Sequence, residues 1–264
     1  MQNRKTIDKG WARVINGWIG CIAFLTLTAC SSTTPTVMPT LTLTSTPQPP
    51  TATIIWFPST ETPTPSPVET KEPTPEQRTG VGELLITDDF TETTHWQTSK
   101  TEIGSVAFGK GDLTLAVAAE KRGLQSFYYQ AIPSDSYLEM TVNPSLCRAK
   151  DTYGVLFRAD SDNSYYRFVI ACTGEIRAER YRAGELAVLQ DWTVSGQIPP
   201  GAPLFLRLGI WMKGTEFRFF INDIYQFTTN DPVFESGQLG VFARTAEKPP
   251  LTVGFSDLKI YRLE

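Results

Sequence analysis

From about residue 84 to residue 264, apolar and polar side chains alternate with a period of two, and no stretch of ten residues carries apolar positions at helical spacing. Cut at its turn signals, this pattern predicts strands at 84–88, 105–109, 112–118, 125–130, 136–143, 152–159, 165–172, 175–182, 185–191, 203–211, 215–221, 224–228, 237–243 and 252–262. Gly109-Lys110-Gly111 links the second and third strands, and Asp160-Ser161-Asp162-Asn163 links the sixth and seventh. Asn222-Asp223 suits a tight hairpin that needs positive φ. About 180 residues of short antiparallel strands bury a sizeable core in one domain, so the expected class is all-β, two antiparallel sheets packed as a sandwich or jelly roll.

Ahead of this region the pattern is different. Residues 1–29 read as a signal peptide: Arg4, Lys5, Lys9 and Arg13 stand against Asp8, and a short apolar stretch from Val14 to Leu27 follows. It ends in Leu27-Thr28-Ala29-Cys30, which resembles the lipobox of bacterial lipoproteins. The resemblance implies cleavage before Cys30, lipidation of its sulfur, and an extracytoplasmic domain anchored to the cell surface or envelope by acyl chains alone. Residues 30–83 are rich in Thr, Pro and Ser, too poor in apolar side chains to offset their ordering entropy, and are expected to form a disordered tether. Fifty such residues reach on the order of 150 Å as polyproline and average about 40 Å as a coil. Within them, Ile54-Ile55-Trp56-Phe57 is an apolar island that is compatible with a membrane or protein contact and with a chance cluster.

Charge narrows the function. The 24 Lys and Arg are outnumbered by 28 Asp and Glu, a formal charge of -4 that offers no basic field for nucleic acid. Removing residues 1–29 takes away four basic residues and one acid and moves the charge to -7. The single His and the four Cys supply neither a poly-histidine metal site nor paired Cys-x-x-Cys spacings. No Gly-x-Ser-x-Gly elbow or phosphate loop occurs, and His95 sits beside Trp96 in an expected loop.

Several segments are similar to the concanavalin A-like lectin/glucanase jelly rolls. They are Asp88-Asp89-Phe90 followed by Trp96, Tyr153-Gly154-Val155-Leu156-Phe157-Arg158, Asn163-Ser164-Tyr165-Tyr166-Arg167-Phe168, Phe219-Phe220-Ile221-Asn222-Asp223, and the closing Val253-Gly254-Phe255-Ser256-Asp257-Leu258-Lys259-Ile260. Laminin-G-like and 3-keto-disaccharide-hydrolase-like domains look more similar still. These motifs are core aromatics and turns, so the resemblance supports the fold more than an activity. It implies a concave sheet face used for glycans. It also raises a calcium site, for which Asp88, Asp89 and Asp257 are the side chains at hand, fewer than the six to eight oxygens that calcium takes. No cofactor is otherwise expected.

Two cysteines remain once Cys21 is cleaved off and Cys30 is lipidated. If the strand at 152–159 turns back to pair with 165–172, Cys147 and Cys172 come close enough for a disulfide; two free thiols are the alternative.

A glycosidase of this fold needs two carboxylates flanking the scissile bond. The Glu-x-Asp-x-x-Glu pattern of laminarinase-type relatives is absent, Glu175 and Glu179 are roughly 13 Å apart along a strand, and Asp160 and Asp162 belong to a turn. In the central strands, Tyr166, Phe168 and Ile170 with Val155 and Phe157 form the core row. The opposite row carries Leu156 and Arg158, Tyr165 and Arg167, and Arg177, Glu179 and Tyr181. Aromatic faces mixed with guanidinium and carboxylate groups suit a sugar, and a solvated cross-strand ladder is the plain alternative. Trp192 and Trp211, near strand ends, are read as rim platforms or as core. The expected function is a surface-anchored, non-catalytic glycan- or polysaccharide-binding domain, with a glycoside hydrolase or an envelope interaction module as alternatives.

Overall fold

A computed structural model describes residues 76–161 and 163–264. Cys30, the signal peptide, most of the tether and Asp162 lie outside the described residues. All regular structure among the described residues is strand: β1 (Val81–Asp88), β2 (Ser99–Thr101), β3 (Gly104–Phe108), β4 (Leu113–Val117), β5 (Gly123–Phe127), β6 (Ser136–Leu146), β7 (Thr152–Ser161), β8 (Ser164–Ala171), β9 (Glu175–Arg182), β10 (Glu185–Val194), β11 (Leu206–Lys213), β12 (Glu216–Ile221), β13 (Ile224–Asn230), β14 (Gln238–Arg244) and β15 (Leu251–Leu263). The predicted alternation accounts for all of these except β2, whose three exposed residues Ser-Lys-Thr carry no apolar signal.

The strands form two antiparallel sheets. One is ordered β13-β12-β11-β6-β15-β4-β3-β2, with β1 pairing the far half of β15; the other is ordered β10-β9-β8-β7-β14-β5. Period-two alternation puts Leu138, Met140 and Val142 of β6 and Phe217, Phe219 and Ile221 of β12 on the inner face of the first sheet. They meet Tyr153, Val155 and Phe157 of β7 and Tyr166, Phe168 and Ile170 of β8, all buried in one core. Aromatic pairs bridge the sheets, with Phe168 at 4.8 Å from Phe219 and Tyr166 at 4.8 Å from Phe217 between ring centroids. The Asn222-Asp223 hairpin joins β12 to β13 with φ of 49° and 66°, the positive values its residues tolerate.

Strand β7 pairs with β8 as expected, Thr152 opposite Ala171, and this brings Cys147 and Cys172 together in a disulfide with 5.7 Å between Cα atoms. Closing 25 residues of chain contributes about 3 kcal/mol in the chain-entropy account.

The first strand starts at Val81, ahead of the expected 84, and the chain before it is also tied down. Residues 76–80 form a strap over the outer face of the nine-stranded sheet. The indole of Trp211 donates to the Thr79 carbonyl (2.8 Å), Arg218 donates to the Gln77 carbonyl (2.8 Å), and Arg78 pairs with Asp223 (3.1 Å). Glu264 N–H donates to the Gly80 carbonyl, so the last residue meets the strap here; a Cβ at Gly80 (φ 72°) would press on the Glu264 carbonyl at 2.8 Å.

Candidate functional site

The outer face of the six-stranded sheet carries the predicted row. Strands β8 and β9 pair in a register that sets Tyr165 opposite Tyr181, Arg167 opposite Glu179 and Val169 opposite Arg177. The Glu179 carboxylate, 3% exposed, accepts from Arg167 Nε through one oxygen and lies 3.0 Å from Arg177 Nε through the other. Two guanidiniums on one buried carboxylate hold its charge in place and orient both arginines. Arg167 spreads over the Tyr181 ring at 4.6 Å and the Phe242 ring at 5.3 Å, while Arg177 faces Trp192 at 5.5 Å. Tyr165 stacks near Tyr181, 5.4 Å between centroids, and its hydroxyl accepts from Gln125 Nε2 at 3.0 Å. Burial pushes the Tyr165 phenol above its ordinary range, so at neutral pH it stays a neutral donor and acceptor.

Beneath these groups Leu156, Val169, Phe127 and Phe242 form a second, outward apolar cluster. Gly154 makes room for it: a Cβ there (φ 153°) would lie 3.3 Å from the Phe242 ring and 2.0 Å from the Phe168 carbonyl. Above the cluster lies a groove of about 310 Å³ lined by Gln125, Tyr165, Arg167, Tyr181, Phe242 and Arg244, among others. The row therefore faces outward, yet it is sunk: Tyr165 is only 4% exposed, covered by neighbours in its own sheet. Trp192, 37% exposed, stands against Arg177 outside the residues that line the groove.

Arg158 is a correction. Counting by twos places it on this face, but β7 bulges between Phe157 and Ser161, and Arg158 takes φ 49°. The extra residue reverses the alternation, so Ala159 joins the outer cluster and Arg158 turns inward over the Phe217 ring at 4.9 Å. There it is 2% exposed and donates to the carbonyls of Gly214, Phe234 and Ser134 at 2.7, 3.1 and 2.9 Å, tying three loops at one end of the sandwich. Burial lowers its pKa.

Phe242, Arg244 and Gln125 were missed from the sequence. They reach the groove because β14 inserts between β7 and β5, a long-range pairing invisible to local periodicity. For Phe242 the signal was its alternation with the core residues Val241 and Ala243 in a predicted strand. Of the two readings of Trp211, burial bears out the core: 4% exposed, it packs with Tyr137 and Phe220 under the strap on the outer face of the nine-stranded sheet.

The carboxylates disperse. Asp88 accepts from the Phe90 N–H and Trp96 Nε1 and contacts His95 Nδ1 at 3.1 Å. Asp89 caps Thr91, and Asp257 sits in a β15 bulge beside Ser256. No group of three metal-ligating side chains occurs among the described residues. Glu175 bonds Thr173, and no Asp or Glu lines the groove.

No family model matches the chain, and no curated protein matches it in sequence. Solved structures do match. A Bacillus subtilis protein of unknown function with a galectin-like fold aligns at a TM-score of 0.53 and 13% identity, over 69% of this chain and 97% of that one. A Bacillus licheniformis β-glucanase aligns at 0.51 and 9% identity, over 69% and 99%. The fold is a concanavalin A-like jelly roll. A carbohydrate binding module from Bacillus subtilis also matches, at a TM-score of 0.47 and 14% identity over 64% and 96%. At these identities the likeness is one of fold alone.

Proposed function

We propose that this protein is a carbohydrate-binding lipoprotein that holds a glycan in the groove on the outer face of its six-stranded sheet. One observation carries the reading: Arg167, held by Glu179, which also pairs with Arg177, lies over the rings of Tyr181 and Phe242 near Tyr165, and these four side chains, Arg167, Tyr165, Tyr181 and Phe242, line a groove of about 310 Å³. A pyranose offers an apolar C–H face to the rings and hydroxyls to the guanidinium and phenol groups. Arg167 stays pre-oriented by Glu179, which lowers the ordering cost of binding. The lipidated Cys30 and the Thr/Pro tether supply attachment, an expectation that rests on the lipobox resemblance.

A glycan array probed with the full chain tests the groove: hits that disappear in Arg167→Ala and Tyr181→Ala support it, whereas no hit across plant, bacterial and algal polysaccharides overturns it. Labelled palmitate that still attaches to Cys30→Ala overturns the anchor.

A further inference from the structure

A second cavity lies at the end of the sandwich that carries the disulfide. It has a volume of about 340 Å³ and is walled by the chain after β6 and the chain after β14: Arg148, Lys150 and Asp151 on one side, Ala246, Glu247 and Lys248 on the other. Both walls are built rather than loose. Asp151, 2% exposed, accepts from the Arg148 N–H at 3.2 Å and from the Ala246 N–H at 2.8 Å, so its carboxylate is spent on joining the two walls. Its own carbonyl accepts from the Cys172 N–H at 3.0 Å, and the Cys147–Cys172 disulfide closes the base of the first wall. On the second, the buried Thr245 hydroxyl donates to the Ala119 carbonyl at 2.7 Å.

Arg148, Lys150 and Lys248 are exposed and make no ion pair among the described residues. Glu247 is the one exposed acid beside them. Three unpaired cations around one cleft stand out in a chain whose formal charge is -4. The cleft also adjoins the groove. Arg244, itself without an ion pair, lines the groove and is two residues before Ala246, about 7 Å along the chain.

We infer that the cleft binds the anionic groups, carboxylate or sulfate, of an acidic polysaccharide whose neighbouring sugar occupies the groove. This rests on the groove being a glycan site and adds the class of glycan.

The test compares binding of the full chain to two matched pairs: polygalacturonate with its carboxyl-reduced polymer, and dextran sulfate with dextran. In at least one pair the acidic member binds about tenfold more tightly at low ionic strength, and the preference shrinks as NaCl is raised. In Arg148→Gln/Lys150→Gln/Lys248→Gln the ratio within that pair falls toward one, while Arg167→Ala weakens both members together. Which pair responds separates uronate from sulfate. Equal binding within both pairs, binding of none of the four polymers, or a preference that survives the triple substitution overturns the inference, and in the third case a loss in Arg167→Ala leaves the groove reading standing. A preference that depends on the three cations, with Arg167→Ala weakening neither member of the pair, keeps the cleft and removes the groove.

Discussion

The two outer faces of the sandwich use the same materials to different ends. On the nine-stranded sheet, Tyr137, Trp211 and Phe220 cluster with arginines over them: Arg218 lies 4.2 Å from the Trp211 ring, and Arg78 stands 6.0 and 5.8 Å from Tyr137 and Phe220. On the six-stranded sheet, Arg167 lies over Tyr181 and Phe242 in the same manner. On the first face residues 76–80 strap over the cluster and their carbonyls take the Trp211 and Arg218 donors, leaving a pocket of about 340 Å³ beside Arg78, Tyr137 and Tyr261. On the second, the arginine is held by an internal carboxylate, and a groove stays open above it. Composition alone does not separate a face with an open groove from one strapped by its own chain. What separates them is whether the chain's own backbone satisfies the polar groups.

That contrast predicts stability effects on the strapped face and affinity effects on the groove face. Trp211→Ala should have the largest effect on folding, about 3 kcal/mol in denaturant unfolding, with glycan affinity unchanged. Equal loss of affinity would show that the faces are coupled. Arg167→Ala should lower glycan affinity at least about 30-fold and cost about 2 kcal/mol, because Glu179 keeps only Arg177 as a partner. Arg167→Lys should recover part of that stability but little of the affinity, since an ammonium lacks the planar fork; calorimetric titration beside unfolding curves would separate the two. Tyr181→Ala, at a half-buried position, should weaken binding about tenfold while moving stability by less than about 1 kcal/mol. Arg78→Ala should do the reverse on a smaller scale, costing about 1 kcal/mol and leaving the groove as it was.

Alkaline titration sharpens the comparison further. Burial raises the phenols of Tyr137 under the strap, Tyr153 in the core and Tyr165 in the groove, and brings Tyr128 and Tyr166 to about 12. In the unfolded chain these groups lose their protons near the ordinary value of about 10. Their contribution to stability is therefore complete below that pH and is lost as pH rises through the raised folded values. Absorbance at 295 nm should show a late-titrating class of tyrosines, and bound glycan should delay Tyr165 without moving Tyr137.

Much of the fold was legible in the sequence because each strand writes its own burial in alternation. Fourteen of the fifteen strands left that mark, and the β7–β8 turn was enough to bring Cys147 beside Cys172. The site was half legible. Tyr165, Arg167, Arg177, Glu179 and Tyr181 share a face because β8 and β9 pair without a break. Arg158 left it because one bulge reverses every count beyond it, and a bulge has no reliable signature in side-chain hydrophobicity.

By itself, then, the sequence determined an all-β chain, its disulfide and the residues of the β8–β9 ladder, since all of these follow from local periodicity and short-range pairing. Only the tertiary structure decided that β14 lies between β7 and β5, that residues 76–80 strap over one aromatic face, and that the walls of the cationic cleft meet at Asp151. Each of these joins segments far apart in the chain. Such contacts form where complementary surfaces meet in the packed sandwich, and the order of residues along a strand carries no record of which distant strand will lie beside it.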